Sequence, residues 1–328
     1  MSFSAIQSAG DSIDVTREYL ASRSWRQVAL LAVMAIFLGP AGVSGPPGPV
    51  DIEDEAFQVD DDLPSLSELI GAIDWELVLI ALILVAAFVV LYGLISAFME
   101  FGFVHSLTTD TVAIRAPARD HWTRAFSLFL FRAVVWGIIS LGGVALIAVG
   151  LGIFTLPFEL DLMLLSLVLL LAGVSLYLLN RFTTDFVVPI MYHERRGLIS
   201  AWRRLLGVMR HEWRQYVAYV PVRIILELAL GIAFGIVLVL LFIAMGIIIG
   251  VPLGVLTVLL LGVVPGIVIT GGVLAIVALI LLAAVMVPFH TYLRYYTLLV
   301  LGDTSDALDL IPTKRSSSRS EPDTATAR

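Results

Sequence analysis

The sequence predicts an all-α protein, a polytopic bundle of about six transmembrane helices with amphipathic helices at the interface. Three observations carry that expectation. Hydrophobic residues fill 59% of the 328 positions and charged residues only 14%, whereas soluble domains hold about 45–50% apolar and about 25% charged residues. The apolar excess is gathered into long runs nearly free of charge, and about 20 such residues cross a hydrocarbon core of about 30 Å as a helix. The runs are continuous rather than alternating, so helices, not barrel strands, satisfy the backbone in lipid.

Residues 1–27 are expected to form a cytoplasmic N-terminal segment carrying a polar helix over 12–25. The membrane domain is read as 28–301. Its first span, 28–43, is short and followed by small residues, as in a signal peptide. Against cleavage stand the long preceding region and its acids Asp11, Asp14 and Glu18. Residues 41–74 are Pro/Gly-rich, then acidic, with "DIEDE" and "DDD", a composition that resists a packed core and is expected to form a solvated outer loop. The second to sixth spans are read as 75–99, 129–154, 162–179, 217–246 and 267–287, the last continuing as a helix to 301.

Between the last two spans lies "GIIIGVPLGVLTVLLLGVVPG", residues 246–266, where Pro252 and Pro265 bracket 12 positions. That is about 18 Å of helix, too short to cross. It is read as a short helical or re-entrant piece in the outer half of the bundle; a seventh span is the alternative. The end of the chain, 302–328, is expected to be a disordered cytoplasmic tail.

Charge orients the bundle, because basic loops stay in the cytoplasm. With six spans and the N-terminus inside, the inner segments are 1–27, 100–128, 180–216 and 288–328. All 20 basic residues fall in them or near their ends, while 41–74 holds nine acids and no base. A seventh span would place Arg294 and the "TKR" tail outside. The expected location is therefore the cell membrane, with both termini cytoplasmic. Of the 20 basic residues only Lys314 is a lysine, and the net charge is −7. Such an acidic, Lys-poor chain fits a high-salt organism or a GC-rich genome. With no Cys, disulfides, iron–sulfur clusters and Cys-bound zinc are excluded.

Three inward-going helices end alike, in "MEFGFVHSL" (99–107), "TDFVVPIMY" (184–192) and "VMVPFHTYL" (285–293). In the first two an acid, Glu100 or Asp185, is followed by a basic segment with Trp122 or Trp202. The next outward helix then carries Arg132 or Arg223. The pattern reads as a repeated helical hairpin.

Within 180–216 the apolar residues Leu198, Trp202, Leu205, Met209, Trp213 and Tyr216 recur at spacings of three and four, one face of a helix. Arg196, Arg203 and Arg210 recur every seven residues on another face. A helix with apolar and basic faces lies in the membrane interface. Trp202 and Trp213 are thus expected at headgroup depth, and the three arginines on anionic phosphates, which guanidinium groups meet with paired hydrogen bonds. The expected partners are membrane lipids. Nucleic acid is not expected, since the chain is acidic and has no recognised binding module.

Charges inside a membrane are costly and mark functional candidates. Arg223 and Glu227 are four residues apart on one face of the fifth span and are expected to form an intramembrane ion pair, with Asp185 or Asn180 as the candidate further partner. The five His residues form no metal spacing, and no nucleophile elbow, phosphate loop or catalytic dyad is present. No catalytic residue, cofactor or metal is expected.

The segments "SWRQVALLAVMAIFLG", "FMEFGFVHSL" and "RFTTDFVVPIMYHERRGLISAWRRLL" resemble an uncharacterised family of multi-pass membrane proteins from halophilic archaea. More distantly, the hairpin pattern looks like the membrane domain associated with glycerophosphodiester phosphodiesterases. The catalytic barrel of those enzymes is absent, so the resemblance implies a membrane bundle and no reaction. Two functions are expected: a non-enzymatic accessory, scaffold or envelope component contacting anionic lipid, or a small-solute or proton-coupled transporter with a site near Arg223 and Glu227.

Overall fold

The computed structural model describes residues 4–38, 75–150 and 162–320, and every regular element among them is helical. The loop expected at 41–74 lies wholly outside the described residues, as do the end of the third span at 151–154 and the tail residues 321–328. The helices are α1 (Ser4–Ala21), α2 (Trp25–Leu38), α3 (Trp75–Thr109), α4 (Arg115–Asp120), α5 (Trp122–Gly150) and α6 (Leu162–Phe182). There follow a π turn (Thr183–Val187), α7 (Val188–His193), α8 (Leu198–His211) and α9 (Trp213–Met245). A second π turn (Gly246–Gly250), α10 (Val251–Leu261), α11 (Val263–Thr304) and α12 (Pro312–Ser320) complete the chain.

Five helical stretches are long and apolar enough to cross a membrane: Trp75–Thr109, Trp122–Val149, Leu164–His193, Trp213–Leu261 and Val263–Thr304. The shortest has 28 residues, about 42 Å at 1.5 Å per residue. The described part of the expected first span, α2, is apolar but has only 14 residues, about 21 Å.

Both π turns end two residues before a proline, Val187 before Pro189 and Gly250 before Pro252. Proline has no N–H, and its ring collides with the carbonyl four residues back. In both places that carbonyl, of Asp185 or Ile248, sits inside the widened turn. The extra residue lets the helix continue past a proline that would otherwise kink it. Residues 246–266 are therefore not separate from the fifth span. They extend α9 through α10, turn back at Gly262 and begin α11. Gly262 has φ +88°, a conformation that costs glycine little. The two arms touch closely. A Cβ on Gly266 would come within 2.8 Å of the Val258 backbone, and Thr257 Oγ1 lies 3.1 Å from the Gly266 carbonyl and 2.9 Å from Thr270 Oγ1.

The buried core is concentrated at one end of the bundle, the end that carries the basic segments. It combines the last third of α3, the first π turn with α7, one face of α8, the start of α9 and the second half of α11. Toward the other end the helices are bare, and Leu77 to Leu91 of α3 are exposed almost without a break.

Two terminal expectations are corrected at the packed end. The polar helix runs over 4–21 rather than 12–25, and it is part of the core. Ser8, Ser12, Val15, Thr16 and Tyr19 form a buried stripe against α11, with the Tyr19 hydroxyl donating to the Ser106 carbonyl at 3.1 Å. The region 302–320, expected to be disordered, is folded. Arg319 of α12 donates to both carboxylate oxygens of Asp303 at 2.8 Å and to Asp11 at 2.9 Å. Lys314 spends its three N–H donors on the Leu107 carbonyl (2.9 Å), Asp110 (2.8 Å) and the Tyr295 hydroxyl (3.0 Å). Burial pushes its ammonium below the usual lysine range, against the pull of Asp110. The sequence missed this because the contacts reach back some 200 residues to the α3–α4 loop, while the local composition is that of a tail.

Candidate functional site

At the boundary between the packed end and the bare helices lies a layer of buried charge. Its first half is built on Asp185, in the first π turn. Arg181 Nε meets Asp185 Oδ2 at 3.0 Å, Arg223 Nη2 meets Oδ1 at 3.5 Å, and the Tyr219 hydroxyl donates to Oδ2 at 2.7 Å. Glu227 closes the ring, 3.3 Å from Arg223 Nε and paired with Arg181. Arg223 also donates to the Leu293 carbonyl at 3.2 Å. A buried charge is tolerated when paired and hydrogen-bonded, and here two guanidiniums face two carboxylates.

The second half is built on Glu100 of α3. One carboxylate oxygen accepts from Arg132 of α5 at 2.8 Å, and the other is paired with Arg294 of α11. The two halves join at Thr184. Its hydroxyl accepts from Arg132 at 2.8 Å and its carbonyl from Arg294 at 2.5 Å. The backbone explains why that carbonyl is available. Val188 N–H bonds to the Thr183 carbonyl, five residues back. In the same register Pro189 would serve Thr184, but proline has nothing to donate. Arginine on another helix takes the place of the missing amide.

The structure brings Arg223, Glu227 and Asp185 together; the spacing pointed only to the first two. It adds Arg181, Glu100, Arg132 and Arg294, which were not singled out as site residues. Arg181 carried a signal, its four-residue spacing to Asp185. The repeated acid-then-Arg pattern is also accounted for: Glu100 pairs with Arg132 and Asp185 with Arg223, each acid with the Arg of the next long helix. Arg294 had no local signal, since it meets Glu100 across 194 residues of sequence. Across the layer four arginines face three carboxylates, a surplus of one positive charge.

Directly against this layer a cleft of about 620 Å³ opens between α2, α3, α5 and α6. Phe37, Val89, Phe129 and Trp136 contribute to its apolar walls, and Glu100, Arg132, Asn180, Arg181 and Thr184 line its charged end.

The interfacial residues divide. Arg203, Arg210 and Trp213 are exposed, and Arg196 is exposed while paired with Glu194 at 2.9 Å. Trp202 is half-buried. Its ring packs on the core with Leu198, Leu205, Met209 and Tyr216, and its indole N–H donates to Thr183 Oγ1 at 3.2 Å. The apolar face of α8 is thus spent on the protein's own interior, and the outward face carries Ile199, Arg203, Leu206 and Arg210. Periodicity shows that a face is apolar; it does not show whether lipid or protein covers it.

Of the histidines, His121 is buried between α4 and α5 and accepts from Arg124 at 2.7 Å. Burial, then the neighbouring Arg124 charge, holds its imidazole below the usual histidine range. Among the described residues no group of His, Asp and Glu is arranged to hold a metal.

A bundle whose described elements are all helical, with five membrane-length apolar helices and a buried ionic layer where its packed end meets the bare helices, is the class of protein these elements define. The chain belongs to a family of unknown function, DUF7544, whose model matches residues 3–311. No curated protein and no solved structure matches it.

Proposed function

We propose that this chain is a non-enzymatic integral component of the cell membrane that engages anionic lipid from its inner, basic end. The observation that carries the reading is the sorting of surface along the bundle. Bare apolar helices stand at one end, a surface that lipid covers without cost. Basic residues and packed side chains collect at the other. The contact between Asp11 and Arg319 brings α1 and α12 together at that basic end, which favours an even number of crossings between them. The five long helices plus α2 make six. Positive-inside sorting then favours a cytoplasmic placement of both termini, and the acidic, Lys-poor composition supports a high-salt origin.

On this reading Arg203 and Arg210, outward on α8, meet lipid phosphates with Trp213 beside them. Purified into nanodiscs of mixed neutral and anionic phospholipid, the wild type is expected to enrich the anionic lipid around itself. The double variant Arg203→Gln/Arg210→Gln is expected to lose that enrichment without losing its fold. Equal enrichment in both would remove the lipid-contact reading.

A second reading, a small-solute or proton-coupled transporter at Arg223 and Glu227, draws on the broken helices beside the charge layer. The closed pairing of Asp185, Glu227, Arg181 and Arg223 favours a structural lock instead. A variant Glu227→Gln that folds normally yet fails to rescue a deletion strain would reverse that preference.

A further inference from the structure

We propose that the cleft between α2, α3, α5 and α6 is a binding site for one anionic phospholipid, its head on Arg132 and an apolar chain along the walls. The proposal goes beyond the headgroup contact of α8, since it concerns a single lipid held inside the bundle.

Three features point to that occupant. The volume, about 620 Å³, lies in the usual range for small-molecule sites, roughly 300–1,000 Å³. The lining is divided by chemistry: charge is confined to one end, and α5 supplies the wall from Arg132 to Ser140, about 12 Å of helix. That geometry suits a ligand with one polar end and one apolar end. The third feature is the sign of the charge presented. The Arg132 side chain is 16% exposed while its partner Glu100 is 3% exposed, and Arg181 is 17% exposed against 3% for Asp185. In both pairs the carboxylate is hidden and the arginine side chain is the more exposed partner. Arg132 has five N–H donors, and its bonds to Glu100, Thr184 and Ser96 take at most three. The surplus positive charge of the whole layer completes the complementarity to an anion.

The test uses the full chain in a mild detergent with phosphatidylglycerol or phosphatidylcholine added, read by native mass spectrometry. The expected result is one phosphatidylglycerol retained per chain, at about tenfold higher affinity than phosphatidylcholine. Removing the head's partner with Arg132→Gln should erase that preference. Because this variant also disturbs the charge layer, a second one fills the cleft from its apolar side. Gly137 lines the cleft, and a Cβ there meets nothing within 4 Å, so Gly137→Phe should block retention while melting as the wild type does. The Arg203→Gln/Arg210→Gln protein should still retain the single lipid, which separates this site from α8. Equal retention of both phospholipids, retention by a folded Gly137→Phe protein, or displacement of the lipid by water-soluble glycerol phosphate would each overturn the proposal.

Discussion

Glu100 is held by two guanidinium groups from two other helices, and neutralising it leaves both partly uncompensated in the interior. Breaking a buried pair by removing one partner costs about 3–5 kcal/mol. Glu100→Gln is therefore expected to lower stability by about that much, measured by unfolding in a fixed detergent. A change below about 1 kcal/mol would mean that the pairs behave as surface salt bridges do. What was legible at this scale was local. Arg223 and Glu227 were found because they are one helical turn apart. Glu100, Arg132 and Arg294 come from three helices, and only their assembly makes them a site. The acid-then-Arg repeat was visible, yet its meaning as a pair needed the packing of one helix on the next.

Among the elements, the hairpin of α10 and α11 offers a clean comparison of two glycines. Gly266 faces the Val258 backbone, so a methyl group there has no flexible side chain to displace. Gly271, on the same helix, has nothing within 4 Å of the equivalent position. Gly266→Ala is expected to push the arms apart at a cost of about 1–3 kcal/mol. Gly271→Ala should be neutral or stabilising by up to about 1 kcal/mol, the helix propensity gained. Thermal unfolding of both variants checks this, and similar melting temperatures would mean that the arms are not in contact. Helix existence was legible because long apolar runs leave little choice. The π turns were not, since hydropathy does not register a single extra residue; Pro189 and Pro252 were the only marks they left. The faces of α8 were half legible, as Trp202 illustrates: its spacing put it on the apolar face, and the tertiary fold decided what lies against that face.

For the whole molecule, the arrangement of termini and charge makes a definite prediction of sidedness. The natural chain has no Cys, so single introduced cysteines report cleanly. A membrane-impermeant thiol reagent on intact cells is expected to label a cysteine replacing Asp60 and to spare one replacing Ser200. Labelling of 200 alone would invert the bundle. The charge sorting behind this expectation was readable from composition. The folded α12 was not, because Lys314 is secured by Leu107 and Asp110 and Arg319 by Asp11, all remote in sequence. One dimension has a further consequence. Trp213 to Leu261 form 49 consecutive helical residues, about 73 Å of rod at 1.5 Å per residue, against roughly 30 Å of hydrocarbon. Placed in a bilayer, such a rod could not stand upright within oil; it would have to lean or fold over, and would lean further where the lipid sheet is thin. The hairpin would then act as a dipstick, its angle set by the depth of the medium in which it sits.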